Sequence, residues 1–75
     1  MTPALNSPSL AALGNRVREA RTEQKLTQEQ LAALCDFDRT YISLVERGKR
    51  NISFTNLISL AKGLDVSVSD LVAGI

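Results

Sequence analysis

The sequence predicts a compact all-α domain of five short helices, and three observations carry that prediction. Apolar residues recur at spacings of three and four along most of the chain, the period of a helix with one buried face. Residues that cap helix starts stand at Thr27, Asp38, Ser53 and Ser67. No segment alternates apolar and polar residues as a half-buried strand does. A chain of 75 residues makes one such domain rather than two.

In order along the chain, residues 1–8 contain two prolines, an asparagine and a serine without periodic apolar positions, and are expected to form a flexible N-terminal arm ahead of a domain at 9–75. Leu10, Leu13, Val17 and Ala20 then define the inward stripe of a first helix over about 10–24, with Arg16, Arg18, Glu19 and Glu23 elsewhere on the wheel. Thr27 with Gln30 forms a capping box, in which the two side chains satisfy orphan amides at the start of a second helix over 28–35. Asp36, Phe37 and Asp38 interrupt the pattern, and Asp38 caps a third helix from Arg39 to about Arg47. Gly48 stands where a left-handed stop is expected, and Lys49, Arg50 and Asn51 continue as a polar loop. Ser53 caps a fourth helix with Phe54, Leu57, Ile58 and Ala61 inward, ending near Gly63. Ser67 with Asp70 is a second capping box, opening a last helix with Val68, Leu71 and Val72 inward.

Composition narrows the function. With no histidine and one cysteine, the usual zinc sites and every histidine-dependent catalytic arrangement are excluded, so neither enzyme activity nor a metal or cofactor is expected. Cys35 has no partner for a disulfide; it fits a small buried apolar residue, and nothing basic flanks it to make a redox sensor. No apolar run approaches the roughly 20 residues that span a bilayer, and a lone thiol suits a reducing compartment, so the expected location is cytoplasmic, without a membrane partner. The net charge of +1 is unevenly spread. Residues 1–25 and 38–51 are each net +2, residues 26–37 net −2 and residues 52–75 net −1. Basic character therefore gathers in the first and third of these segments.

The second helix, a three-residue turn and the third helix have the proportions of a helix-turn-helix, whose second helix can enter the major groove of DNA. At about 100° per residue, Arg39, Thr40, Ser43, Leu44 and Arg47 share one arc of the third helix, and Tyr41, Ile42, Val45 and Glu46 the other. Arg39 and Thr40 lie at the N-terminal end, which meets base edges in this docking mode. Arginine can grip guanine through two parallel hydrogen bonds, while threonine offers a hydroxyl and a methyl. Arg39, Thr40, Ser43 and Leu44 are thus the candidate base contacts. For Leu44, a thymine methyl, a partner protein and plain exposure are equal alternatives. Arg47, Lys49, Arg50 and Asn51 are the candidate phosphate contacts. Tyr41 either bonds a phosphate through its hydroxyl or belongs wholly to the core. The competing reading of the outer arc is a solvated helix face.

Several runs also carry a family resemblance: Leu13-Gly14-Asn15-Arg16-Val17-Arg18 with Arg21, Leu26-Thr27-Gln28-Glu29-Gln30-Leu31-Ala32, Arg39-Thr40-Tyr41-Ile42-Ser43, Glu46-Arg47-Gly48 and Leu64-Asp65-Val66-Ser67. Over residues 10–72 the chain resembles the Cro/repressor-type helix-turn-helix proteins of the xenobiotic-response-element class, which have a lambda-repressor-like fold. Within that class, Asp38 to Ser43 followed by Glu46-Arg47 and Arg50-Asn51 is similar to the controller proteins of restriction-modification systems. The resemblance implies that Gln28 contacts a phosphate, against the alternative of a capping role beside Thr27. It also implies an ion pair between Arg21 and Glu46, which ties the first helix to the third. The class usually has glycine at the position of Asp36; aspartate tolerates the left-handed conformation better than most residues, so the turn stays feasible.

The combined expectation is a transcriptional regulator that binds a palindromic operator in double-stranded DNA as a homodimer, since one short helix reads only a few base pairs. Val66, Val68, Val72 and Ile75 are the expected dimer surface, being more apolar residues than one small helix needs for its own core. RNA polymerase is a candidate partner, and no small-molecule ligand is expected. The rival reading is an antitoxin-like protein-interaction module with the same fold.

Overall fold

The computed structural model describes residues 7–75, which form five helices: α1 Pro8–Glu23, α2 Gln28–Cys35, α3 Arg39–Glu46, α4 Phe54–Leu64 and α5 Val68–Val72. No strand occurs among the described residues. The four capping residues all hold helix starts: Thr27, Asp38, Ser53 and Ser67 each accept a backbone N–H of the following turn, and the Thr27 and Ser67 boxes are closed by Gln30 and Asp70. A fifth cap lies earlier than expected. Ser7 Oγ accepts the Leu10 N–H at 3.3 Å, and Pro8 takes the first helical position, where its missing N–H costs nothing. Ser7 and Pro8 therefore belong to α1 rather than to the expected arm, whose residues 1–6 lie outside the described ones.

The centre of the core takes side chains from four helices: Val17 of α1, Leu31 of α2, Ile42 of α3, and Leu60 with Leu64 of α4, all fully buried. Each such side chain contributes about 1.5–3 kcal/mol on burial. α5 adds Leu71 at the edge. The inward stripe of α4 differs from expectation. Leu57, Leu60, Ala61 and Leu64 form it, while Phe54 stands to one side and is 69% exposed. Val72 is likewise exposed rather than inward, because the five residues of α5 offer the core only one face, and Leu71 occupies it.

α1 and α3 meet backbone to backbone. A Cβ added at Gly14 would lie 2.5 Å from the carbonyl oxygens of both Val45 and Glu46, so only glycine admits this approach. Cys35 is buried, its thiol donating to the Ser59 carbonyl at 3.5 Å, and burial pushes its pKa up.

Four helices end in the same way, with a left-handed residue followed by two backbone bonds back into the last turn. That residue is Lys25 after α1, Asp36 after α2, Gly48 after α3 and Asp65 after α4, with φ of 58°, 58°, 70° and 56°. The bonds run from Lys25 and Leu26 to Thr22 and Arg21, from Asp36 and Phe37 to Ala33 and Ala32, from Gly48 and Lys49 to Val45 and Leu44, and from Asp65 and Val66 to Lys62 and Ala61. α5 lacks this pair.

Candidate nucleic-acid interface

The turn between α2 and α3 is built from local parts. Asp36 adopts the left-handed conformation at the position where glycine is usual in the class it resembles, and its N–H and that of Phe37 close α2. Phe37 is half-buried and packs edge-on against Tyr41, with ring centroids 5.0 Å apart. Asp38 then accepts the Thr40 N–H at 3.0 Å and starts α3. α3 buries Ile42, Val45 and Glu46 and turns the opposite arc outward. On that arc Arg39, Thr40 and Arg47 are exposed, while Ser43 and Leu44 are half-buried.

A chain of polar contacts links the core to the tip of α3. Arg21 of α1 holds Glu46 with two donors, Nε to Oε2 at 2.5 Å and Nη2 to Oε1 at 3.0 Å, and gives Nη1 to the Leu26 carbonyl at 2.8 Å. The side chains are only 13% and 4% exposed, so this is the ion pair expected between the first and third helices. Its hydrogen bonds to Glu46 raise the Arg21 pKa further above its ordinary value, against the lowering effect of burial. Gln28 donates Nε2 to Glu46 Oε1 at 3.1 Å and accepts Arg39 Nη1 at its Oε1, 3.3 Å away. Because a carboxylate can only accept, Glu46 fixes which end of the Gln28 amide faces Arg39. Gln28 therefore does not serve as the helix cap; Thr27 and Gln30 do that between them. Glu29 brings a carboxylate oxygen to 4.0 Å from Arg39 Nε.

The basic segment follows α3 directly. Arg47, Lys49, Arg50 and Asn51 are all exposed. The Arg50 guanidinium lies over the Tyr41 ring, 5.3 Å from its centroid. Tyr41 does not belong wholly to the core: the ring is half-buried, and the hydroxyl accepts Asn56 Nδ2 at 3.1 Å while keeping its own proton to donate. Asn56 carried no sequence signal, lying 15 residues from its partner. At the other end of the molecule, Val66 and Val68 are half-buried against the core, whereas Val72 and Ile75 are 37% and 43% exposed. The candidate dimer residues thus form an edge of the core with two apolar side chains projecting from it. No helix among the described residues is long and apolar enough to cross a membrane.

Comparison with known proteins agrees with this geometry. The helix-turn-helix family matches residues 17–71. The control protein C.MunI of Mycoplasma sp is 44% identical over 63 residues, spanning 83% of this chain and 85% of that protein. Among solved structures, the restriction-modification controller protein C.AhdI from Aeromonas hydrophila superposes with a TM-score of 0.85 at 45% identity, over 87% of this chain and 98% of that one. The controller protein C.Esp1396I, solved as a tetramer in complex with its natural 35 base-pair operator, gives a TM-score of 0.78 at 41% identity over 81% of this chain and 80% of that one.

Proposed function

The chain belongs to the helix-turn-helix family, and on that footing we propose that it is a sequence-specific transcriptional regulator of the restriction-modification controller kind, acting as a homodimer on a palindromic operator in double-stranded DNA. The observation that carries this reading is the outward arc of α3. It presents Arg39 and Thr40 at the helix start and Arg47 at its end, opposite a face that packs on the core, with the exposed basic loop immediately after it.

The reading assigns Arg39, Thr40, Ser43 and Leu44 to base edges and Gln28, Tyr41, Arg47, Lys49, Arg50 and Asn51 to phosphates. Gln28 suits its role because Nε2 spends one N–H on Glu46 and has a second to give to a phosphate oxygen. Arg39 suits bidentate contact with guanine because Gln28 and Glu29 hold it at the exposed end of the helix. Ser7 to Ile75 is the DNA-binding domain in this reading. Val66, Val68, Val72 and Ile75 supply the dimer surface, and symmetric pairing gives two recognition helices for the two half-sites. RNA polymerase is the protein partner assigned to a regulator of this kind, and the cytoplasm is the compartment that suits DNA binding and a lone buried thiol.

Selecting bound duplexes from a random DNA pool tests the proposal. A palindromic consensus with guanine in each half-site supports it. Absence of any enrichment overturns it in favour of a protein-interaction module.

A further inference from the structure

We infer that Arg16, which belongs to neither the core nor the DNA-contacting set, is the positioning residue that fixes α5, and with it the dimer surface, relative to α3. The inference rests on the assignment of that surface to α5.

α5 has five residues, buries Leu71 and packs Val68 only partly, so its own hydrogen bonds and packing hold its C-terminal end weakly. The chain leaves the helix at Ala73 in an extended conformation, with φ −58° and ψ 125°, and turns at left-handed Gly74 with one backbone bond, Ile75 N–H to the Val72 carbonyl, in place of the pair that closes each of the other four helices. The carbonyls on either side of Val72 are instead taken by one guanidinium from α1. Arg16 Nη1 donates to the Asp70 carbonyl at 2.9 Å and to that of Leu71 at 3.5 Å, and Nη2 donates to that of Ala73 at 2.5 Å. A cation at this end also meets the negative pole of the helix. The contact is not an accessory to tight packing. A cleft of about 240 Å³ opens between α1 and α5, with Arg16, Ala20, Val66 and Leu71 among its lining.

From Arg16 the path to the recognition helix is short and stiff. Gly14, two residues away on α1, lies against the carbonyls of Val45 and Glu46, so α1 and α3 move together. The position of α5 on α1 therefore sets its position relative to Arg39 and Thr40. In a symmetric dimer that relation determines the distance between the two recognition helices, and half-site spacing follows from it. Arginine suits the task because its planar fork reaches several acceptors at once, whereas lysine offers a single point of charge.

The experiment compares the wild type with Arg16→Ala, Arg16→Lys and Val72→Asp. It measures dimerisation by sedimentation equilibrium, affinity for the selected operator and for a duplex with one half-site, and amide hydrogen exchange. Arg16→Ala is expected to raise the dimer dissociation constant at least tenfold and to accelerate exchange at Leu71 and Val72. Affinity for one half-site should stay within twofold, since α2 and α3 are untouched. Arg16→Lys should fall between wild type and Arg16→Ala. If Val72→Asp is monomeric while Arg16→Ala dimerises like the wild type, the inference is overturned and the α5 interface stands. If Val72→Asp remains a dimer, the interface lies elsewhere and both ideas fall. Loss of half-site affinity in parallel with operator affinity makes Arg16 a general structural residue and also overturns the inference. Should Arg16→Ala fail to fold, Arg16→Lys decides: a weakened dimer with intact half-site binding supports the role, and an unchanged dimer overturns it.

Discussion

The α2–α3 unit and α5 are both short, yet they are held in place by different means. α2 and α3 each begin on a local cap, end on a left-handed residue with two backbone bonds, and are tied to α1 by the buried Arg21–Glu46 pair. α5 also begins on a capping box but ends on a single backbone bond and a side chain more than 50 residues away. The difference teaches how the two tasks divide. A surface that reads DNA needs its side chains preset to a fraction of an ångström, and redundant local closure provides that. The surface proposed to pair two copies would gain part of its order from the partner, so one backbone bond and one tether suffice in the monomer.

The sharpest break in this comparison is Glu46→Ala. Removing the carboxylate strands Arg21 and frees Gln28 at once, and breaking one partner of a buried pair typically costs 3–5 kcal/mol. Arg21 keeps the Leu26 carbonyl, so we expect about 3 kcal/mol, read as a shift of the urea midpoint. Glu23→Ala, at an exposed position, should leave the midpoint nearly unchanged. Equal midpoints for the two variants would make Glu46 an ordinary charge and remove the distinction between a locked head and a tethered tail. Gly14→Ala should be the next largest effect. Its new methyl overlaps two backbone carbonyls that cannot turn aside like a flexible side chain, and overpacking of this kind costs about 1–3 kcal/mol. A wild-type melting curve for this variant would show that α1 can move off α3 freely.

How far these features were legible depended on the span of chain that encodes them. The caps at Thr27, Asp38, Ser53 and Ser67 need only the next three residues, so the sequence declares them. The left-handed stop at Gly48 was equally plain, whereas those at Lys25 and Asp65 were not. Lysine carries no signal for such a conformation and aspartate only a tolerance for it, and Leu26 and Val66 have to fold back before the stop is fixed. The outward arc of α3 followed from its wheel, but the wheel put Glu46 only near the core; family resemblance supplied its pairing with Arg21. Nothing local reveals that Gln28 is engaged at both ends, that Asn56 meets Tyr41, or that Arg16 closes α5. Phe54 was misplaced because apolar spacing gives the period of a stripe and leaves its exact arc to the neighbouring helices.

On the reading surface itself the expected losses concern affinity rather than folding. Arg39→Ala should weaken binding to the selected operator by about 1–3 kcal/mol and relax the preference at one base pair, since a bidentate guanine contact is lost. Affinities for single-base variants of the site check this, and an equal loss on every sequence would reassign Arg39 to a phosphate. Arg50→Ala should act more weakly and without regard to sequence, making the dependence of log affinity on log salt shallower by about one unit. A salt titration on specific and random duplexes measures it. An unchanged slope would leave Arg50 as a lid over the Tyr41 ring.

The smallest effect should come from Asp36→Gly, and it tests local closure most directly. Asp36 is exposed and holds φ of 58°, a conformation that costs an ordinary L-residue about 1–2 kcal/mol and aspartate somewhat less. Glycine removes that strain, but it adds freedom to the unfolded chain that offsets about 0.4–1 kcal/mol of the gain. The net change in the urea midpoint should therefore be slight, within about 0.5 kcal/mol, with operator affinity unaltered. Asp36→Val is the informative counterpart, because a β-branched side chain fits this conformation poorly. It should destabilise by about 1 kcal/mol, because a β-branched residue pays more of the left-handed cost than the aspartate it replaces. If valine is accepted as readily as glycine, the left-handed residue does not fix the end of α2. The buried Arg21–Glu46–Gln28 chain then holds the turn alone, and the redundancy that separates the reading head from α5 is smaller than the backbone bonds suggest.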